Sequence, residues 1–273
     1  MAILNSLYFI YVEYAVAQQT LPVPIHNWLL AQVRAYRHNP PLGKVNFGEL
    51  RRLTPLSPDW GFDRGFPVHR YYLEQFLSGQ AEDIRGQTLE TEDGNYTHQF
   101  GGARVTKSDV LHLNQENPYA TVIGDLSCPN QFPADTYDCV LLTQTLQLIY
   151  DLPAAVKTLY HILKPGGVVL ATMPGLTRNG QSKLGQSADF RTCDSDDWSD
   201  YSCWSFTTVA AKRLFAEAFG AANVEVKSYG NVLSAIAALQ GMATQELTQS
   251  ELDYCDRVYQ VLITVRAVKP NES

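Results

Sequence analysis

Residues Tyr137–Gly175, YDCVLLTQTLQLIYDLPAAVKTLYHILKPGGVVLATMPG, carry the strongest structural signal in the chain. Cys139–Leu142 is a short apolar run, which is typical of a strand buried on both faces. Leu152–Leu163 has apolar residues at helical spacing, and Lys164–Gly167 ends this helix because proline cannot continue it. Val168–Thr172 then predicts a second buried strand. A strand, a helix and a strand of these lengths indicate a right-handed crossover in a parallel sheet, whose ligands bind at the carboxyl ends of the strands.

The rest of the chain extends this pattern to a seven-stranded sheet. Apolar runs predict five further strands, at Gln87–Thr91, Arg104–Val110, Ala120–Asp125, Val224–Tyr229 and Tyr259–Val268. Helical spacing predicts helices at Arg70–Ser78, at Thr207–Phe219 with Thr207 or Thr208 as the N-cap, and at Val232–Leu247. These elements predict an α/β fold with helices on both faces of the sheet.

The composition restricts the classes of function. The chain has 273 residues, of which 45% are hydrophobic, and this is enough for one large domain with additions. A net charge of −7 argues against nucleic acid as the main partner, because phosphate binding needs a basic surface. No apolar run approaches 18 residues, so we expect no membrane span. The five cysteines form no C-x-x-C pair, which predicts no zinc site or disulfide framework and indicates a reducing cytoplasm.

The N-terminal part of the chain has a sequence pattern that differs from that of the α/β domain. Residues 1–60 predict a helical extension, and residues 61–273 predict the main domain. Met1–Ala17 is not typical of a signal peptide, because it has no basic residue before the apolar stretch and Glu13 interrupts that stretch. We expect an amphipathic helix that packs on the domain or on a partner subunit. A homodimer through these helices and a fusion to another enzyme domain are both open.

Three segments resemble a known family. Leu163–Gly167 reads LKPGG, Asp138–Leu146 matches the pattern D-(apolar)-x-x-Q-x-L, and Gly61–Gly65 is followed by Arg70–Tyr72. With these segments the chain resembles the class I S-adenosylmethionine (SAM) methyltransferases, and within them a type 11-like bacterial subgroup. The resemblance runs from about Phe62 to Val268. It implies a Rossmann-like methyltransferase sheet and SAM as the cofactor.

The resemblance assigns cofactor-binding roles at the ends of the strands. Asp109, which we place at the end of the second strand, stands 19 residues after Glu90 and matches the acid that binds the ribose. Asp125 and its neighbour Leu126 match the position that contacts the adenine amine. The alternative is that these acids only cap helices or turns. Further cofactor contacts are expected from Thr143 and Gln144 after the fourth strand.

The loop after the first strand departs from the family pattern acid-x-Gly-x-Gly-x-Gly. It reads Glu90-Thr-Glu-Asp-Gly-Asn-Tyr96, so that only Gly94 is kept while Glu92 and Tyr96 replace the other two glycines. Glu92 could accept a hydrogen bond from the cofactor ammonium or repel its carboxylate, and the sequence leaves both open. Arg64 and Tyr71, with Arg70, precede the first strand and are expected at the cofactor carboxylate; surface ion pairs are the alternative.

The acceptor side is predicted from the loop Leu176–Ser205, which follows the fifth strand and carries arginines, aspartates and aromatic residues. We expect this loop to overhang the methyl-donor pocket. His69 and His98 flank the cofactor loop and are the candidate catalytic bases. No Asn-Pro-Pro-Tyr-like signature follows the fourth strand, which favours methyl transfer to oxygen over nitrogen.

The sequence therefore predicts a SAM-dependent methyltransferase, acting on a carboxylate or hydroxyl of a small molecule, a sugar or a natural-product peptide. Natural-product biosynthesis is the expected setting. Two alternatives stay open: a member that binds SAM without catalysis, because its glycine loop has changed, and a non-enzymatic interaction module that uses the N-terminal helices.

Overall fold

The computed structural model describes residues 22–24, 28, 40–178 and 202–271. The chain divides into two compact units, 1–53 and 54–273. The first unit contains a short 3-10 turn at Gly48–Leu50, and the second contains the sheet. The N-terminal helix predicted at Met1–Ala17 and the middle of the loop predicted at Leu176–Ser205 lie outside the described residues.

Seven strands form one mixed sheet in the order β3-β2-β1-β4-β5-β7-β6. The first five strands run parallel, and β7 is antiparallel to both β5 and β6. The order reverses between β1 and β4, which opens a crevice at the carboxyl ends of the strands. The strands are β1 Gly86–Thr91, β2 Val105–His112, β3 Val122–Ile123, β4 Tyr137–Thr143, β5 Leu163–Pro174, β6 Val224–Tyr229 and β7 Leu262–Val268.

The helices cover both faces of this sheet. They are α1 Val68–Gly79, α2 Leu152–Ile162, α3 Thr208–Phe219, α4 Val232–Gln240 and the short α5 Gln249–Asp253. One apolar cluster joins α2 and α3 to one face, and a second joins α1 and α4 to the other. The Asp151 carboxylate caps α2 by accepting from Ala154 N at 3.1 Å, and the Thr207 hydroxyl caps α3 by accepting from Ala210 N at 3.2 Å. The α/β fold class and the layering are confirmed. Among the described residues, none of the helices combines the length and apolarity needed to cross a membrane.

Several boundaries differ from the prediction. The apolar helix expected over Val232–Leu247 ends at Gln240, because Gly241 takes a left-handed φ of 67° and Met242 N donates to Ala237 O at 2.9 Å. A Cβ at Gly241 would lie 2.6 Å from Ser57 O, so only glycine fits this stop.

The Lys-Pro-Gly-Gly turn belongs to β5 itself. Tyr137 pairs with Leu163, and Cys139 then pairs with Val168, so the residues between are bulged out of the ladder. Strand β3 keeps only two residues of the predicted six, and β7 begins at Leu262 rather than Tyr259. Strand β2 continues two residues beyond its predicted end, which changes the site.

Candidate active site

Two cavities open at the carboxyl edge of the parallel strands. The cavity beside β2 has a volume of about 420 Å³, and we refer to it as the β2 cavity. It is lined by Thr91, Glu92, Leu111, His112, Leu113, Gly124, Asp125, Leu126, Ser127, Thr145, Leu148, Ile149, Tyr150 and Asp151. The second, of about 680 Å³, is the β5 cavity. It is lined by Asp59, Trp60, Phe62, His69, Arg70, Gln144, Gln147, Pro174, Leu176, Thr177, Arg178, Ser202, Ala238, Val261 and Leu262.

Glu90 holds the loop that follows β1. Its side chain is buried, and its carboxylate accepts from Tyr96 N at 3.2 Å and from Thr97 N at 2.7 Å. Burial raises the pKa of Glu90, and the two backbone donors oppose this rise. Both oxygens are committed to the loop, and Glu90 lines neither cavity. Glu90 therefore fixes the loop after β1, and a contact between Glu90 and the cofactor stays a prediction from the sequence.

The altered glycine loop keeps a glycine-like backbone. Glu92 has a φ of 81°, in the left-handed region that favours glycine, and its exposed side chain stands at the β2 cavity. Gly94 has a φ of 74°, and a Cβ there would lie 3.2 Å from Val110 Cγ2. Tyr96 is buried, and its hydroxyl accepts from the Arg70 guanidinium. The loop path thus survives two glycine replacements, with Glu92 in a conformation that costs free energy.

Asp109 does not stand at the end of β2. The strand runs on to His112, and Asp109 lies inside it, opposite Leu89 of β1. The buried carboxylate of Asp109 accepts from Lys107 Nζ at 2.8 Å, Gln87 Nε2 at 3.1 Å and Thr121 Oγ1 at 3.3 Å. It lines neither cavity. The predicted place of Asp109 at the strand end is therefore wrong, because the strand continues two residues further than expected, and its ribose role stays a prediction.

The polar side chain that β2 brings to the cavity is His112. Asn114 N donates to its Nδ1 at 3.3 Å, while its Nε2 has no partner among the described residues. The sequence did contain a signal for this residue. Leu111 continues the apolar run past Val110, so the strand could have been extended to the next polar position.

Asp125 and Leu126 lie where the sequence placed them, in the wall of the β2 cavity. Asp125 Oδ1 accepts from Ser127 N at 2.8 Å, and Oδ2 has no partner among the described residues. Gly124 precedes them, and a Cβ there would lie 2.6 Å from Phe132 Cζ. The close packing of Phe132 on this backbone fixes the turn and leaves one carboxylate oxygen available to a ligand.

Consecutive residues after β4 line the two cavities. Gln144 lines the β5 cavity with a left-handed φ of 51°, and its N–H donates to Thr172 O at 3.0 Å. Thr145 lines the β2 cavity, and its hydroxyl lies 2.8 Å from the hydroxyl of Thr91 at the end of β1. Thr143 ends β4 and lines neither cavity, so its predicted contact with the cofactor is not seen. A strained residue at such a junction is typical of functional sites.

Gln147 was not predicted as a site residue. It lines the β5 cavity with a side chain that is only 7% exposed. Its Nε2 donates to Gln144 O at 2.6 Å, while its buried Oε1 has no hydrogen-bond partner among the described residues. A buried acceptor without a donor is costly, and a ligand donor would remove that cost.

The β5 cavity holds His69 among aromatic rings and two arginines. The His69 ring meets Trp60 edge-on at 5.9 Å and Phe62 at 6.3 Å between centroids. Neither ring nitrogen has a hydrogen-bond partner among the described residues. Burial first, and then the charges of Arg70 and Arg178, lower the pKa of His69 to about 4. His69 is therefore neutral at physiological pH.

Arg178 lies flat against Trp60, with its Cζ 3.8 Å from the ring centroid. Its Nη2 donates to Pro58 O at 2.6 Å. Burial lowers the pKa of this guanidinium, and nearby Asp59 opposes the shift. Within the described part of the chain, neither Arg70 nor Arg178 forms a salt bridge.

Three predicted site residues lie away from both cavities. Arg64 pairs with Glu246 through two hydrogen bonds, so the ion-pair alternative holds for this arginine. The Tyr71 hydroxyl bonds to Asp253. His98 is exposed on the turn Thr97–Gly101 and lines neither cavity. Long-range partners hold Arg64 and Tyr71, and His98 lies on the exposed turn, so the predicted roles of the three at the cofactor or in catalysis gain no support from the cavities and stay predictions.

The ends of the loop predicted at Leu176–Ser205 do reach the β5 cavity. Leu176, Thr177 and Arg178 line it on one side, and Ser202 lines it on the other. Trp204 Nε1 donates to Ile149 O at 3.0 Å, which joins the far end of the loop to the segment after β4. Residues 179–201 lie outside the described residues.

A sequence model of the methyltransferase domain matches residues 68–226, more than half of the chain. The chain belongs to the methyltransferase domain family. It is also similar to the rat mitochondrial arginine-hydroxylase NDUFAF5, with 24% identity over 127 residues, 46% of this chain and 31% of the relative. The chain thus spans about a third of the length of that relative.

Solved structures of this family are similar in fold. A possible histamine N-methyltransferase from Thermotoga maritima is 18% identical, with a TM-score of 0.45, over 76% of this chain and 94% of the other. A SAM-dependent methyltransferase from Mesorhizobium loti is 15% identical, with a TM-score of 0.47, over 77% and 100%. Phosphoethanolamine N-methyltransferase 2 from Haemonchus contortus, solved with S-adenosylhomocysteine (SAH), is 14% identical, with a TM-score of 0.45, over 72% and 53%.

The cofactor of this family is SAM, and the β2 cavity suits the adenosine part of that cofactor. Leu126 and Ile149 offer apolar walls for a flat ring. The unpartnered Asp125 oxygen suits an amine donor, and His112 Nε2 stands at the strand end where a ribose hydroxyl is expected. The loop after β1 leads from this cavity towards Arg70, whose guanidinium bonds to Tyr96 and also lines the β5 cavity.

Proposed function

We propose that this methyltransferase transfers the methyl group to an oxygen of a small acceptor bound in the β5 cavity. The observation that carries the proposal is that the consecutive residues Gln144 and Thr145 line the β5 cavity and the β2 cavity respectively, while the neutral His69 lines the β5 cavity. A volume of about 680 Å³ suits a small molecule, a sugar unit or the end of a short peptide.

The chain's own residues supply binding and alignment. Asp125 and His112 hold the nucleoside, and Arg70 is placed to pair with the carboxylate of the methionine tail. Bound SAM supplies an electrophilic methyl group on a sulfonium. Glu90 fixes the loop beneath it through two backbone hydrogen bonds. Because the transfer is an in-line displacement, a fixed cofactor and a fixed acceptor supply much of the rate.

Oxygen is favoured over nitrogen by the residues around the junction. Thr143-Gln144-Thr145 stands where an Asn-Pro-Pro-Tyr-like signature would bind an amide or ring nitrogen. His69 is neutral and unpartnered, so its ring nitrogen can accept a hydrogen bond from an acceptor hydroxyl and orient it, while its pKa of about 4 makes it a weak base for full proton removal. A carboxylate acceptor needs no base, and the two arginines suit it. Hydroxyl and carboxylate acceptors are therefore both part of the proposal.

The backbone of the loop that contains Glu92 keeps a glycine-like path, and this supports an active enzyme over a member that binds SAM without catalysis. The homodimer, the fusion to another enzyme and the cytoplasmic location remain proposals from the sequence. The first of these depends on residues outside the described part of the chain.

The test begins with mass spectrometry of the purified protein for bound SAM or SAH. Transfer of labelled methyl from SAM is then measured on matched acceptors, namely benzoic acid, benzyl alcohol and benzylamine derivatives, with sugars and short peptides added. We expect methyl esters or ethers as products. Products methylated only on nitrogen would overturn the choice of oxygen, and tight SAM binding without any product would support the non-catalytic alternative.

A further inference from the structure

The described residues that line the β5 cavity have a charge opposite to that of the whole protein. The chain carries a net charge of −7, whereas the charged residues among the described lining are Arg70, Arg178 and Asp59. Two cations against one anion leave one net positive charge on this part of the lining. Asp59 is exposed and forms no salt bridge with either arginine. A positively charged wall in an acidic protein favours anionic ligands and attracts them from solution.

The guanidinium of Arg178 has a fixed orientation and hydrogen-bond donors that the described residues leave free. Stacking on Trp60 and a hydrogen bond to Pro58 O fix the plane of its guanidinium. A guanidinium has five N–H donors, and Pro58 O uses one of them. The side chain is half-buried, and no carboxylate pairs with it among the described residues. Its remaining donors form a fork that matches the two oxygens of a carboxylate or a phosphate.

The second arginine has a different environment. Arg70 donates to the Tyr96 hydroxyl of the glycine-like loop and lies over the Tyr96 ring, with 5.4 Å between its Cζ and the ring centroid. It therefore belongs to the cofactor side of the cavity. Arg178 follows β5 and lies on the acceptor side. The two cations are available to two different anionic groups.

We infer that the methyl acceptor of this enzyme is an anion, a carboxylate or a phosphate ester, and that Arg178 stacked on Trp60 is the residue that selects it. The inference rests on the proposed function, because it takes the β5 cavity as the acceptor site. The anionic group is either the one that is methylated or a handle elsewhere on the acceptor. In both cases a neutral analogue of equal shape leaves the guanidinium unpaired and binds more weakly.

The test is a binding measurement, so it does not depend on turnover. Protein labelled with ¹³C-histidine and saturated with SAH is titrated at constant ionic strength with benzoate, benzyl alcohol and inorganic phosphate. The ring signal of His69, assigned with a His69→Gln variant, reports on ligands in the β5 cavity. We expect benzoate to bind at least tenfold more tightly than benzyl alcohol. Phosphate that competes with benzoate extends the acceptor class to phosphate esters, and phosphate without effect restricts it to carboxylates.

Variants of Arg178 separate charge from structure. Arg178→Gln should weaken benzoate binding at least tenfold and change SAH affinity less than twofold. Arg178→Lys keeps the charge but loses the planar fork and the stacking, so benzoate binding should weaken by about three- to tenfold, less than in Arg178→Gln. Arg213→Gln, an exposed arginine on α3, is the matched control and should change neither affinity. Thermal unfolding of each variant confirms that it is folded.

Equal binding of benzoate and benzyl alcohol would overturn the inference, and so would unchanged benzoate binding in Arg178→Gln. The methyl-transfer assay, and not the binding measurement, detects a failure of the proposed function. Products methylated only on nitrogen would contradict oxygen transfer while leaving the anion preference intact.

Discussion

Replacing Glu92 by glycine tests whether the loop after β1 is strained and whether its carboxylate helps to bind the cofactor. Glu92 has a φ of 81°, and its side chain is exposed without a hydrogen-bond partner among the described residues. A left-handed φ costs a residue with a Cβ about 1–2 kcal/mol. The extra freedom of glycine in the unfolded chain offsets about 0.5–1 kcal/mol of this. The free energy of unfolding should therefore rise by about 0.5–1 kcal/mol in Glu92→Gly.

Glu92→Ala is the matched control. It removes the same carboxylate but keeps the Cβ, so the free energy of unfolding in urea should stay within about 0.5 kcal/mol of the wild-type value. Asp93→Gly changes the neighbouring residue, whose carboxylate accepts from Asn95 N at 3.0 Å. Because that hydrogen bond is lost and the backbone gains freedom, this variant should be less stable by about 1–2 kcal/mol.

Both Glu92 variants should weaken SAM binding by about two- to fivefold, the effect of one exposed charge. The sulfonium makes SAM more positive than SAH, so calorimetry should show a smaller loss for SAH. Equal unfolding free energies for Glu92→Gly and Glu92→Ala would refute the strain argument. Unchanged or tighter SAM binding in both variants would refute the attraction and favour repulsion of the cofactor carboxylate.

Further predictions address the residues that the structure reassigned. Asp125→Asn keeps the turn to Ser127 but loses the anionic acceptor, and calorimetry should show SAH binding weakened about tenfold; full affinity would remove Asp125 from the site. Asp109→Asn should lower the free energy of unfolding by about 1–3 kcal/mol and leave SAH affinity within about twofold, whereas a large loss of affinity would restore its ribose role. Arg178→Gln should raise the pKa of His69 from about 4 towards its usual 6.5, because one of the charges that oppose its protonation is removed. Burial remains the larger cause, so the NMR titration should show only a partial rise, and no rise would place Arg178 away from His69. In the wild type, the folded-state pKa of His69 is below its unfolded value, so its contribution to stability is complete above about pH 6.5 and is lost as the pH falls towards 4. A His69→Gln variant should lack this part of the pH dependence.

Local sequence patterns placed a side chain correctly where that side chain lies close in sequence to the end of its strand. Asp125 and Leu126 lie in the β2 cavity, as their place after the third strand indicated. The predicted place of Asp109 at the end of β2 is wrong because the end of a strand depends on where the neighbouring strands stop pairing with it. Strand β2 pairs with β1 up to Leu111 and with β3 up to His112, and this pairing carries the strand past the acid. His112 takes the place at the edge for the same reason.

The β5 cavity was only partly visible in the sequence. His69 was named as a candidate base, and Arg178 belongs to the loop that was assigned to the acceptor side, but Trp60 and Gln147 were not named at all. These residues come from the loop before α1, the start of α1 and the segments after β4 and β5. Nothing in their spacing indicates that Arg178 stacks on Trp60, because that contact depends on how the segment before α1 packs across the sheet edge.

The sequence by itself determined the α/β class and the layering of helices on both faces of the sheet. Apolar periodicity and helix-stopping residues act over a few neighbours, so these features are readable from short windows. The tertiary structure decided which polar side chains face the ligands. Arg64 pairs with Glu246 and Tyr71 with Asp253 across 182 residues of chain, and with these partners neither side chain lines the β2 or the β5 cavity. A side chain's final partner is set by the free energy of all the contacts in the packed fold, and no local pattern records it.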